Sequence, residues 1–338
     1  MTKKKRQRKE RAREQERQQK VRAIREEPEE FEEPGIPPDL RAMERMTARI
    51  GRLMGEREFD SGEEMTTFMN HYLSESGGSL EDAPPPTTPL ERAQELIYDA
   101  FDTRDSRKKV KFAEKALEVS GDCADAYVVL AEETADYAEE AKDLYEAGVA
   151  AGERALGEET FSEEEGYFWG MLETRPYMRA REGLAHCLWH TGHKEEATEH
   201  YRRMLELNPD DNQGVRYEFA DCLLELGHNE RLGELLGQYE EEDSASWVYT
   251  RALWAYRNDG ASEKATAILH EAVQTNPYVA HYLLGRKSFS DALEELMGYG
   301  EEGEAVGYFF KHLPNWLRTP GAVEWLRDNV AEETLSDL

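Results

Sequence analysis

The chain has few cysteines. Among its 338 residues there are three, Cys123, Cys187 and Cys222, and none forms a CxxC pair. That argues against a disulfide framework and against a four-cysteine zinc site, so a reduced, cytoplasmic setting is the default expectation. No apolar run approaches the ~18 residues that a membrane-spanning helix needs. The first twenty residues are basic with no apolar stretch behind them, and a secretory signal is not expected. Motifs of catalysis are missing as well: there is no Gly-rich phosphate loop, no GxSxG elbow and no HExxH pair. Positive charge is in deficit, with 42 Lys and Arg against 72 Asp and Glu, a formal net charge of −30. What is present is 39% apolar and 34% charged, which suits an all-helical protein with an ample core and long solvated faces. The length suggests about two folding units.

The charge is uneven. Residues 1–25 carry twelve Lys or Arg and three Glu, a net of +9, which leaves −39 on the remainder. Such a body should repel nucleic acid and anionic membrane while attracting its own basic arm. The arm has little to bury, Val21 and Ile24 being its only large apolar residues, and together with an acidic, proline-containing linker it is expected to be mostly disordered over 1–38. Binding of nucleic acid or ribosomes through this arm is one functional expectation, because Lys and Arg dominate phosphate affinity.

Beyond the linker, Leu40, Met43, Met46, Ile50 and Leu53 recur at helical spacing and predict one apolar helix face. Ser61 with Glu64 reads as a capping box that opens a second short helix. Residues 39–73 are therefore expected to form a helical hairpin that docks elsewhere, either capping the body or lying in its groove. Residues 74–87 are a Gly/Ser/Pro linker, and Thr88-Pro89-Leu90-Glu91 restarts helix.

From Leu90 the chain repeats. In the clearest unit, Met178–Asp211, counting from 178 puts Leu184 and Ala185 at positions 7 and 8. Gly192 falls at 15, Ala197 at 20, Tyr201 at 24 and Pro209 at 32. The turn glycine returns at Gly227 and Gly260, and Gly260 is followed by Ala265 and Pro277 at the same offsets as Gly192 by Ala197 and Pro209. Small residues let paired helices approach, glycine closes the turn and proline ends the second helix. The pattern resembles the tetratricopeptide repeat. About five units are expected over 88–279, with an insertion near 157–175, stacking into a right-handed α-solenoid. After Pro277 the words Tyr282-Leu283-Leu284, Glu304-Ala305, Tyr308, Trp316 and Gly321-Ala322 resemble the C-terminal region of the suppressor of tumorigenicity seven family. The resemblance is good over 270–328 and loose over 110–270, and it implies a helical-repeat fold without established chemistry. Members of that family are described as membrane proteins, a property that does not carry over to a chain without a spanning segment. Residues 280–338 are expected to form an aromatic helical cap on the end of the solenoid.

His186 and His190 share a helix face at a spacing that can seat zinc, but no third ligand is apparent. Cys187 and Cys222 fall at equivalent repeat positions, as small core residues would. No cofactor or metal is expected, and the abundant acid pairs read as solvated faces. The tetratricopeptide resemblance implies that particular positions of each first helix face a concave groove. It places Glu91, Gln94, Tyr98, Asp102, Asp125, Glu132 and Asp136 at an acidic N-terminal end. Further along come Arg179, Glu182, His186, Trp189 and His190, then Tyr217, Asp221 and Glu225, then Trp247, Thr250, Trp254, Arg257 and Asn258. The lysine and asparagine clamp for chaperone tails is missing, Glu182 and His186 standing at two of its positions. The sequence thus predicts a non-catalytic scaffold that buries a partner peptide on Trp189, Tyr217 and Trp254, with Arg179 and Arg257 selecting acidic groups.

Overall fold

The computed structural model describes residues 39–55, 57–75, 79–80, 83–287 and 302–330. The basic arm and its linker lie outside these residues. Those described are helices joined by turns and loops, with fifteen α-helices among them and no strand. A 3-10 turn, Leu40–Met43, leads into α1 (Glu44–Gly55), and α2 (Gly62–Glu75) follows. Five further helix pairs follow in order: α3 (Pro89–Phe101) with α4 (Ser106–Val119), α5 (Ala124–Thr134) with α6 (Ala138–Glu163), α7 (Arg175–His190) with α8 (Lys194–Leu207), α9 (Val215–Leu226) with α10 (Asn229–Gln238), and α11 (Ala245–Asp259) with α12 (Glu263–Thr275). Each pair packs against itself and its neighbour, so the architecture is an α-solenoid of helix hairpins.

Local sequence explains where the helices begin and turn. Thr88 caps α3 by accepting from the Glu91 amide while the Glu91 carboxylate reaches back, a complete capping box with Pro89 in the first turn. Ser61 accepts from the Glu64 amide, but the Glu64 side chain accepts from the Asp60 amide instead of closing the box. Gly192 turns α7 into α8 at φ 89°, in the left-handed region that glycine occupies without a Cβ penalty. Gly227 and Gly260 hold equivalent turns, also at positive φ.

The small residues of the repeat are fully buried: Ala185, Ala197 and Ala265 have no exposed area. Close approach is tightest where Tyr145 of α6 lies over Gly183 of α7, since a Cβ there would meet the ring at 2.2 Å. Cys123, Cys187 and Cys222 are free and buried. The region of 157–175 feeds the core as well. The chain kinks at Gly157, continues helically to Glu163, and then buries Phe168 against Phe161 and Tyr177.

After α12 come α13 (Pro277–Leu283), α14 (Glu302–Arg318) and α15 (Ala322–Asn329). Trp316 and Trp325 are buried and stacked, and Trp325 also stacks on Tyr256 at 4.6 Å. α14 does more than close the end of the stack. Glu304 near its start accepts from the Ala245 amide at the beginning of α11, and Thr319 just beyond it accepts from Arg257 near the end of α11. The helix therefore runs alongside α11, and Lys311 on it reaches Glu218 of α9.

The docking of α1 differs from the sequence expectation. Of the expected apolar face of α1, Leu53 is buried, whereas Met43 and Met46 are 60% and 52% exposed. The helix docks through its arginines, because the surface that receives it is acidic.

Candidate functional site

The first helices of the pairs line one face of the solenoid: α3, α5 and α7 pack side by side, as do α9 and α11. At the N-terminal end this face is acidic, and α1 lies upon it. Arg41 forms a two-pronged contact with Glu132 of α5 at 2.8 and 3.0 Å and sits 4.4 Å over the Phe101 ring. Arg45 binds Asp99 at 2.6 Å and Asp102 at 2.8 Å, and Arg52 binds Glu95 at 2.7 Å. Arg45 and Arg52, seven residues apart, lie on one side of α1, and Arg41 precedes them in the 3-10 turn.

At the centre of this contact is a buried ion-pair network. Arg179 of α7 donates from Nε and Nη2 to the two carboxylate oxygens of Asp125 at 2.8 and 2.6 Å. It also donates from Nη1 and Nη2 to Glu44 of α1 at 2.9 and 3.1 Å. Arg175 adds a third contact to Glu44 at 3.2 Å. Asp125 has no exposed area, and Gln94 donates to it as well. Burial alone would push the Arg179 guanidinium toward neutrality, but Asp125 and Glu44 more than offset this and raise its pKa.

At the C-terminal end the face is covered by α14. Asp221 is paired with Lys311, and the ring of His312 lies 3.3 Å from its other oxygen. Burial raises the Asp221 carboxyl to about 7, against the pull of Lys311, and lowers His312 to about 3.

The residues that the sequence assigned to the groove divide accordingly. Trp254 does not present a free anchor: its indole N–H donates to the Asn229 carbonyl at 2.8 Å and its ring lies against Gly233 of α10. Its position in the repeat turns it toward the adjoining hairpin. Arg257 is spent on the Leu224 and Asn315 carbonyls and the Thr319 hydroxyl, so it bridges the ends of α9, α11 and α14. Tyr217 packs edge-on against the buried Trp247 and faces Arg216. Trp189 lies under the Lys194 ammonium at 4.6 Å and packs against the core. Arg179 does engage an acidic group, and that group belongs to the same chain.

His186 and His190 are exposed. With Glu182 they occupy the stretch of α7 between the part met by α1 and the part of α9 met by α14. Gln213 donates to Glu182 at 2.7 Å, yet burial, helped by Asp211 and Glu218, raises that carboxyl to about 7. Among the described residues no group of three His, Cys, Asp or Glu is placed to hold a metal ion.

Sequence reasoning missed Glu44, Arg41, Arg45, Arg52 and Arg175. The signal was available in the arginines recurring at three- to seven-residue intervals opposite an acidic groove end. It was overshadowed by the apolar periodicity of the same helix.

The family model described as ST7 protein matches residues 86–335. The chain is 29% identical over 262 residues to suppressor of tumorigenicity 7 protein-like from Bos taurus, covering 70% of this chain and 47% of that protein. It is 29% identical to the Homo sapiens protein of the same name, over 70% and 45%. With the ST7 homolog of Drosophila melanogaster it shares 27%, over 69% and 47%. The chain thus spans about half the length of the curated relatives it matches. Among solved structures, YrrB, described as a TPR protein with an unusual peptide-binding site, aligns with a TM-score of 0.40 and 22% identity, over 62% of this chain and 92% of that one. No helix among the described residues is long and apolar enough to cross a membrane.

Proposed function

The chain belongs to the ST7 protein family, and we propose that it is a non-catalytic helical-repeat scaffold that binds a protein segment on its concave face. The observation that carries this reading is that the face already holds a helix. α1 lies across α3, α5 and α7 through at least five ion pairs, so the surface has the shape and charge to accept a helical segment. The stretch left for an outside partner is the middle one, where His186 and His190 are exposed while Glu218 and Glu225 are engaged by Lys311 and Lys194. The strong negative charge of the body beyond residue 25 favours a partner with basic groups. The middle position also moves the proposed contact away from Trp254 and Arg257, which hold the solenoid together.

The test is site-specific photo-crosslinking in the full chain, with benzoylphenylalanine at His190 or, on the outer face, at Glu153. A discrete protein adduct from His190 and none from Glu153 is expected. The same adducts from both positions, or none from His190, would refute the reading. Removing residues 1–25 should leave the His190 adduct unchanged. Its loss would transfer the activity to the basic arm and favour a nucleic acid or ribosome role.

A further inference from the structure

We infer that Arg175 and Arg179 form a carboxylate-reading site on the concave face, and that α1 fills it as a displaceable stand-in. The ligand it is built for is a helix bearing one carboxylate among arginines. This inference rests on the concave face being the protein-binding surface and specifies what that surface reads.

The two arginines are positioned without help from α1. Asp125, itself fully buried, takes two donors of Arg179 and fixes the plane of the guanidinium. Arg175 donates to the Trp169 carbonyl at 3.0 Å and stacks over the Trp169 ring at 5.2 Å. Asp125 is thus the one permanent carboxylate here, bound to Arg179 and not to Arg175, and the carboxylate that joins the two guanidiniums is that of Glu44, 131 and 135 residues away in sequence. A site whose donors are already oriented binds its ligand with less ordering cost.

The occupant, by contrast, is held in a way that permits exchange. α1 buries Leu53 and Glu44 but turns Met43 and Met46 outward. Its attachment is mainly ionic, through Arg41 to Glu132, Arg45 to Asp99 and Asp102, and Arg52 to Glu95. Contacts of this kind weaken with salt, whereas apolar burial would not. The family match starts at residue 86, so it contains both arginines and Asp125 but not α1. The contacts of α1 define the ligand pattern: arginine three residues before the carboxylate, one after it and eight after it.

A fluorescent peptide of residues 38–56 tests this against the full chain. In the variant Glu44→Lys/Arg45→Glu, the resident helix carries the wrong charges while Arg175 and Arg179 are intact. The peptide should bind this variant at least about tenfold more tightly than wild type, and a peptide with Glu44→Gln should lose about tenfold or more. Equal binding to both proteins, or to neither, overturns the inference. A second measurement guards against misfolding of the variant. In the wild-type chain, amide exchange over 44–55 should accelerate at about 0.5 M salt while α7 stays protected. Protection of α1 equal to that of α7 at every salt concentration would make it a fixed part of the fold. Because the peptide is the chain's own sequence, failure here is separable from failure of the His190 crosslink.

Discussion

Glu182 illustrates how one side chain reports its surroundings. Its carboxyl is raised to about 7, chiefly by burial and then by Asp211 and Glu218. A carboxyl with a raised folded pKa keeps its proton more tightly in the folded state. Its stabilising contribution is full below the unfolded value near 4.5 and is lost as pH rises through about 7. Glu182→Gln removes that loss. The variant is expected to be more stable than wild type by about 1–2 kcal/mol at pH 8, discounted for partial exposure, with the gain shrinking toward pH 5. Urea unfolding at the two pH values checks this, and an equal difference at both would contradict it. Gly233 makes a steric statement of the same kind. A Cβ there would lie 2.6 Å from the Trp254 ring, whose N–H is committed to the Asn229 carbonyl. Gly233→Ala should cost about 1–3 kcal/mol in thermal unfolding. The sequence pointed to Trp254 as an interface anchor because its repeat position matched. It could not show that a glycine on the adjoining hairpin makes room for the ring.

At the scale of elements, what was legible is what local chemistry decides. The Thr88 box starts α3 as the sequence implied, and Thr88→Ala should lower stability by about 1 kcal/mol in denaturant unfolding. The turn glycines and buried alanines likewise fall where the repeat spacing put them. The orientation of α1 was not legible. Its methionines and its arginines both recur at helical spacing, and only the acidic surface made by α3 and α5 decides which side docks. Met43→Ser with Met46→Ser should therefore change stability by no more than about 0.5 kcal/mol. Arg45→Ala should raise amide exchange throughout α1. A large loss of stability from the methionine pair would mean that α1 docks by its apolar face after all. The course of α14 was hidden for a related reason. An aromatic cap was read from its tryptophans, but its contact with α9 depends on Lys311 finding Asp221 and Glu218 at a distance of some ninety residues.

For the whole molecule, charge partition organises the face lined by the first helices. The body beyond residue 25 is strongly negative, and the basic groups of 39–55 meet the acidic end that the repeat pattern had placed on α3 and α5. The face lined by the first helices is consequently met at one end by α1 and at the other by α14, with His186 and His190 exposed between them. The pair on which this arrangement turns is Glu44 with Arg179, and the most direct measurement is their coupling free energy. Full-length wild type, Glu44→Gln, Arg179→Gln and the double variant would be compared by urea unfolding at low salt. The unpaired Asp125 left by the Arg179 change is common to the single and double variants and cancels in the cycle. A coupling of about 2 kcal/mol or more is expected for a pair buried this deeply. Additivity within about 0.5 kcal/mol would contradict the docking of α1 on the face lined by α3, α5 and α7.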